Sequence, residues 1–295
     1  MYSGFNKFDI SVEPDITIHG VQGGSGPAIL FLHGFPQDHH MWHRAALALS
    51  SSYTIIALDL RGYGSSSAPK GSESHIEYSK KTMARDCALV MAARGIKHYY
   101  VCGHDRGARV AHKLSVDYFE NVLKVVFLDI CPTLAMYAKA NKQFAEAYYH
   151  WFWLTQPAPF PENMVSSNPQ EVANQFLGSP DRSLLRIYEP EALEAYYKLF
   201  HNPAIVHAMC EEYRAGGTID LVDASDDVAA GRHVKCPILV LWGRGGMVGR
   251  TYDAIEEWKA VSETGDVRSA PVDCSHYIAE DAPELLVRHL GEFFN

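Results

Sequence analysis

The chain has 295 residues, enough for one large α/β unit or a core plus an insertion, and its 47% hydrophobic and 12% aromatic content excludes a disordered chain. A net charge of −9 with no lysine- or arginine-rich run argues against nucleic acid and anionic membrane as partners, and no apolar run approaches the about 18 residues of a membrane span. Six cysteines without a Cys-x-x-Cys pair, and an N-terminus without a basic and then apolar leader, predict reduced packing thiols in a cytoplasmic protein.

Residues 7–12 and 16–21 read as two short strands turning at Pro14-Asp15. Gly23-Gly24-Ser25-Gly26-Pro27 is a loop that precedes a strand and opens no helix, so it is not a phosphate cradle. Ala28–Leu32 is a continuous apolar run fit for a buried parallel strand, and it ends in His33-Gly34-Phe35-Pro36-Gln37. His39 and His43 are four apart, but no Glu stands between them as in His-Glu-x-x-His and no third ligand is evident. A partly exposed, N-capped helix accounts for them better than a metal. Tyr53–Leu58 is the next buried strand, and a helix is expected from about His75 to Arg94. Tyr99–Gly103 is a strand leading into a helix from Arg106 to about Phe119, and Val122–Leu128 is a further strand ending at Asp129. From Thr133 to about Val228 no buried-strand signal occurs, and the segment reads as aromatic-rich helices broken by Pro- and Gly-containing turns. Strand character returns at Cys236–Trp242 and Val267–Val272, with helices at about Tyr252–Val261 and Pro283–Phe294. Alternation of this kind predicts an α/β fold with a doubly wound, mostly parallel sheet: core at 1–132 and 229–295, helical cap at 133–228.

Gly103-His104-Asp105-Arg106-Gly107 has the Gly-x-Asp-x-Gly spacing of the nucleophile elbow of α/β-hydrolases, with Asp where Ser usually stands. Small flanking residues let strand and helix approach, and the turn pushes Asp105 out at the carboxyl edge of the sheet, where such sheets bind ligands. Arg106 and Arg109 share one face of the first helical turn, where the dipole disfavours cations; a local rule broken this way marks a site for an anion. In this architecture the order is nucleophile, acid, histidine, which Asp105, Asp129 and His276 satisfy at three strand ends, with Asp253 and Asp273 as alternative acids. The Phe35 and Arg106 amides are the expected oxyanion donors.

The chain resembles the fluoroacetate (haloacetate) dehalogenases of the α/β-hydrolase superfamily along essentially its whole length. The residues that carry the likeness are His33-Gly34-Phe35-Pro36-Gln37, Arg61-Gly62-Tyr63-Gly64, Gly103–Arg109, Leu128–Thr133, His150-Trp151-Phe152, Gln156-Pro157-Ala158-Pro159, Tyr213-Arg214-Ala215 and Ser275-His276. The resemblance implies that Arg106 and Arg109 hold the substrate carboxylate and that Asp105 attacks the halogen-bearing carbon to form an ester. It further implies that His150, Trp151 and Tyr213 donate to the leaving halide, and that His276, oriented by Asp129, activates the hydrolytic water. It implies a homodimer and a small anionic substrate, and neither metal nor organic cofactor. The family's further cap tryptophan near Gly178-Ser179-Pro180 is missing, which bears on pocket size and halide preference. An epoxide hydrolase, with Tyr148, Tyr149, Tyr196, Tyr197 and Tyr213 as candidate acids, is the alternative enzyme; a ligand-binding relative without turnover is the alternative outside catalysis.

Overall fold

In the computed structural model, which describes residues 1–179 and 181–295, eight strands form one sheet. They are β1 (Asn6–Glu13), β2 (Ile16–Gly24), β3 (Ala28–Leu32), β4 (Thr54–Leu58), β5 (Tyr99–His104), β6 (Val122–Leu128), β7 (Ile238–Gly243) and β8 (Val267–Val272). Their order is β1-β2-β4-β3-β5-β6-β7-β8, antiparallel through β1, β2 and β4 and parallel from β4 to β8. Pro180, in the stretch where the family's further tryptophan would fall, lies outside the described residues. The continuous apolar run of β3 is buried at all five positions, as a strand covered by helices on both faces must be. At the far edge β8 is largely half-exposed and carries Pro271, which an edge strand tolerates because one side of its ladder is unpaired.

The helices of the sheet's two faces are α1 (His43–Leu49), α2 (Lys80–Ala93) and α3 (Asp105–Asp117), and, after the insertion, α12 (Met247–Thr251), α13 (Ala254–Lys259), α14 (Ile278–Asp281) and α15 (Pro283–Phe294). Between β6 and β7 the described residues form helices alone: α4 (Thr133–Ala138), α5 (Lys142–Ala147), α6 (His150–Trp153), α7 (Phe160–Ser167), α8 (Pro169–Gly178), α9 (Pro190–Phe200), α10 (Pro203–Gly217) and α11 (Ile219–Ala229), with a 3-10 turn at Ser183–Ile187. No helix among the described residues is long and apolar enough to cross a membrane. Cys87, Cys102, Cys131, Cys210 and Cys236 are free and buried.

Three local expectations are corrected. The helix expected from His75 begins at Lys80, because Ser79 has extended backbone and caps it by accepting the Thr82 N–H; Ile76–Tyr78 is a separate 3-10 turn. The helix expected over Tyr252–Val261 is α13, which Asp253 caps by accepting the Glu256 N–H, with α12 as a distinct short turn before it. Around His39–His43 only His40 is partly exposed. Asp38 caps a 3-10 turn, and His39 and His43 are buried, His39 against Asp59 at 2.7 Å.

The insertion is tied to the sheet by a polar seam. Tyr196 of α9 donates to Glu280 Oε1 of α14 at 2.6 Å, and Arg44 of α1 donates to the Glu280 carbonyl and to Glu189. Burial, with Asp38 and Glu189 adding to it, pushes the Glu280 carboxyl up to about 8 in spite of Tyr196 and Arg44. Its folded pKa lies above its unfolded one, so the stability it contributes is complete below the unfolded value and is lost as pH rises through about 8. Glu280→Gln, which stays neutral, is therefore expected to gain stability on the native protein as pH rises from about 5 to about 9, by an amount on the order of 4 kcal/mol. Thermal unfolding across that range checks this; an offset that does not change with pH contradicts it.

Candidate active site

The site begins at the junction of β5 and α3. Asp105 has φ 46°, a left-handed conformation that costs a non-glycine residue energy and persists only where its surroundings enforce it. The surroundings are tight. A Cβ at Gly107 would lie 2.1 Å from the His33 carbonyl oxygen, and one at Gly103 would lie 2.6 Å from Ala108 Cα. The two glycines therefore let α3 start directly against β3 and β5, and the turn lifts the Asp105 side chain off the sheet. The Phe35 N–H, from the loop after β3, donates to Asp105 Oδ1 at 3.1 Å, so one expected oxyanion donor already addresses this carboxylate; Arg106 follows Asp105 in the first turn of α3.

Two further strand ends complete the group. Asp129, just after β6, also has positive φ (53°) and accepts the Gly243 N–H on Oδ1 at 3.0 Å. Its Oδ2 lies 2.5 Å from His276 Nδ1 in the loop after β8. The alternative acids are engaged elsewhere: Asp253 caps α13, and exposed Asp273 pairs with Arg244. Burial disfavours the charged His276 ring, but the hydrogen bond and charge of Asp129, with Asp105 beyond, outweigh it and raise the pKa above the ordinary histidine value. With Nδ1 committed to Asp129, Nε2 is the nitrogen left to take a proton. Burial likewise opposes ionisation of Asp105, yet His276, His104, Arg106 and Arg109 hold its carboxyl at about 2, so it is a carboxylate at neutral pH.

Arg106 and Arg109, three apart on α3, diverge. The Arg106 guanidinium lies 4.3 Å from the Tyr213 ring centroid and donates to the Glu212 carbonyl at 2.6 Å. The Arg109 guanidinium lies 4.7 Å from the Trp151 ring centroid and donates to Thr133 Oγ1 at 2.8 Å. Each core arginine is thus stacked on one aromatic ring of the insertion. Among the described residues, Arg106 Nε, Arg109 Nε and the Tyr213 hydroxyl at this site are buried without a hydrogen-bond acceptor. Leaving such groups unpaired costs about 1–3 kcal/mol each, so a ligand that fills them is favoured by the same amount.

Asp105, Phe35, His150, Tyr213 and His276 line one cavity of about 400 Å³, with Tyr148, Phe176 and Tyr277 beside them and Ser179 and Leu184 farther out. Trp151, Asp129 and the two arginines are not among its lining residues and stand behind those that are. His150 lies nearly parallel to the Phe35 ring at 6.1 Å, and burial lowers its pKa to about 3, so it is a neutral ring with one N–H to give. Four participants were not singled out from the sequence. His104 is buried, donates from Nε2 to the His276 carbonyl, and stays neutral with a pKa pushed down to about 3, chiefly by burial. Phe176 packs edge-on against Phe35 and His150. Lys80 and Glu212 form a buried ion pair at 2.7 Å behind Arg106. The one available signal was the Glu211-Glu212 pair on a largely apolar helix, immediately before Tyr213.

Two groups of possible metal ligands occur among the described residues, His19-His39-Asp59 and Asp38-His39-His40. Ligand atoms of His19, His39 and Asp59 come within 4.8 Å of one another, but His19 is hydrogen-bonded to Asp9 and His39 to Asp59, which in turn accepts the Ser65 N–H.

Residues 27–283 match the profile of the alpha/beta hydrolase fold. The chain is 39% identical over 295 residues to a fluoroacetate dehalogenase of Burkholderia sp, covering 100% of this chain and 95% of that protein. It is 27% identical over 285 residues to a soluble epoxide hydrolase of Corynebacterium sp. (strain C12), covering 94% and 93%. Among solved structures, a protein of Nostoc sp PCC 7120 provisionally described as an alpha/beta hydrolase superposes with a TM-score of 0.93 at 40% identity, covering 100% of this chain and 99% of that one. A mutant of a provisionally described epoxide hydrolase of Pseudomonas aeruginosa, solved with bound MFA, superposes with a TM-score of 0.89 at 37% identity, covering 99% and 96%.

Proposed function

The chain belongs to the haloacetate dehalogenase family of the α/β-hydrolase superfamily, and on that premise we propose that it hydrolyses a haloacetate, fluoroacetate or chloroacetate, to glycolate and halide through an ester on Asp105. The observation that carries this reading is the set of unpaired buried donors around one ionised carboxylate. Arg106 Nε and Arg109 Nε suit a substrate carboxylate, and the Tyr213 hydroxyl suits a leaving anion. A neutral epoxide would leave both guanidinium donors unsatisfied.

In this mechanism the two arginines hold the substrate carboxylate so that its halogen-bearing carbon faces Asp105. A carboxylate oxygen of Asp105 forms a bond to that carbon while the halide departs with the bonding pair. Holding the partners in line supplies much of what a displacement requires. Tyr213, His150 and Trp151 donate to the halide as its charge grows, which matters most for fluoride, the poorest leaving group. His276 Nε2 then takes a proton from water, and the oxygen of that water attacks the Asp105 ester carbonyl. The Phe35 and Arg106 amides hold the resulting oxyanion, and Asp129 stabilises the imidazolium. Collapse expels glycolate, which takes the proton back from His276. The helical insertion acts as a cap that excludes bulk water from these steps.

The test is halide release from fluoroacetate, chloroacetate and bromoacetate, run beside diol formation from styrene oxide. Release of halide from at least one haloacetate, with no diol, is the expected result. Diol formation without halide from any haloacetate contradicts it and favours the epoxide hydrolases, whose candidate acids Tyr148, Tyr149 and Tyr213 also line the cavity. Tyr196 and Tyr197 are committed to Glu280 and Asn174.

A further inference from the structure

Behind the cavity wall, one carboxylate lies at the centre of a buried cluster drawn from four segments. Glu212 is fully buried on α10. Its Oε2 accepts the Tyr63 hydroxyl at 2.5 Å, its Oε1 accepts Lys80 Nζ at 2.7 Å, and Arg106 Nε lies 3.3 Å from that same Oε1. Lys80 is anchored in turn, since its backbone N–H donates to Asp220 Oδ1 at 2.7 Å. Burial disfavours the charged form of Glu212, but Lys80, Arg106 and the Tyr63 hydroxyl outweigh it and hold the carboxyl below its ordinary range.

The cluster decides where Arg106 lies. The guanidinium runs along α10, bonded to the Glu212 carbonyl, stacked on Tyr213 and resting against Gly216, where a Cβ would come within 2.7 Å of Arg106 Nη2. Gly216 thus keeps that face of α10 open for the guanidinium. Tyr213 is sandwiched in consequence. One side of its ring meets Arg106, its edge packs on Phe35 at 5.3 Å, and its hydroxyl has no hydrogen-bond partner among the described residues. Arg109 differs: its side-chain partners are Thr133, Met136 and Cys131, and among the described residues it makes no ion pair, the Asp105 carboxylate acting on its charge from farther off. Arg106 therefore meets a substrate carboxylate as a hydrogen-bond donor whose charge Glu212 largely offsets, while Arg109 brings most of the positive charge.

We infer that Glu212, clamped by Lys80 and Tyr63, is a positioning residue that holds Arg106 against α10 and so fixes the Tyr213 hydroxyl on the departing halide. The inference rests on the haloacetate reading above. It sets the dependence of the rate on the halogen. A hydrogen bond to the leaving group counts for much when fluoride departs and for little when bromide does. Loss of Glu212 thus selectively penalises the carbon–fluorine bond, whereas general damage to the site slows every halide alike.

The experiment is single-turnover halide release by native protein and Glu212→Gln, which reads the bond-breaking step for each halogen before ester hydrolysis intervenes. The expected result is a loss of about 30-fold or more with fluoroacetate against about 3-fold or less with bromoacetate, the usual span for removing or misplacing one such donor. KM for bromoacetate should change little, because Arg109 still takes the carboxylate. Tyr63→Phe, which removes one hydrogen bond and leaves every charge, should give a smaller loss with the same halogen dependence; it also serves if Glu212→Gln does not fold. Equal losses for both halogens, or a rise in KM alone, overturn the inference and leave the haloacetate reading intact. If the native protein releases no halide from either compound, it is the haloacetate reading that fails, and this inference with it.

Discussion

Replacing His276 by Asn is expected to leave an enzyme that releases one equivalent of halide per chain in a burst and then turns over only slowly, with a carboxymethyl ester held on Asp105. The reason lies in the division of work between two groups. Asp105 needs no base for its own attack, since His276 and the two arginines help hold its pKa at about 2 against the penalty of burial. Release of the ester does need a base, and His276, whose Nδ1 is held by Asp129 at 2.5 Å, is the group so placed. Steady-state turnover should fall by about 10³-fold while the first halide is still released, a loss typical of removing a general base. Intact-mass measurement after mixing with substrate reads the ester directly; a variant that loses the burst together with turnover would place His276 in the first step.

The same division fixes the pH behaviour. His276 works as a base only when neutral, and Asp129 raises its pKa above the ordinary histidine value. Ester hydrolysis therefore accelerates as pH rises through that raised value. The burst of halide does not follow it, because Asp105 is already ionised far below neutrality.

Asp105→Ala removes both steps. No burst and no turnover are expected, with activity down by about 10⁴-fold or more, as when a nucleophile that acts as part of a unit is deleted. The loss should come without unfolding. Phe35 N–H loses its acceptor, but Gly103, Gly107 and Gly34 still allow the close approach of β3, β5 and α3 that builds the turn. Halide assays on variant protein whose unfolding temperature matches the native one separate chemistry from stability. Substantial halide release by that variant would mean that water, not Asp105, displaces the halogen.

Much of this site could be read from the chain because the fold puts its chemistry at strand ends. The apolar runs of β3, β5, β6 and β7 announce a parallel sheet. The Gly-x-Asp-x-Gly spacing marks a turn where the backbone must be strained, and Asp129 and His276 each follow a strand that the sequence shows. Asp129 could be chosen over Asp253 only in part by spacing; the capping of α13 by Asp253 became visible once that helix was in place. What stayed hidden was the layer behind the cavity. Tyr63, Lys80, Arg106, Glu212 and Asp220 are scattered over more than half the chain and meet only when α10 and α11 settle on α2 and α3. No local period encodes such a meeting. The short-range errors have the same origin at smaller scale: Ser79 and Asp253 each offer a side-chain oxygen to a helix N-terminus, and a pattern of apolar spacing does not register a cap.

The most direct measurement of the central claim is a single turnover in ¹⁸O-labelled water with enzyme in excess over substrate. If Asp105 forms the ester and water attacks its carbonyl carbon, the glycolate of that first turnover carries an unlabelled new hydroxyl oxygen, and the label appears in the Asp105 carboxylate. Labelled glycolate from the first turnover, with Asp105 unlabelled, would contradict the account by showing that water attacks the substrate carbon itself.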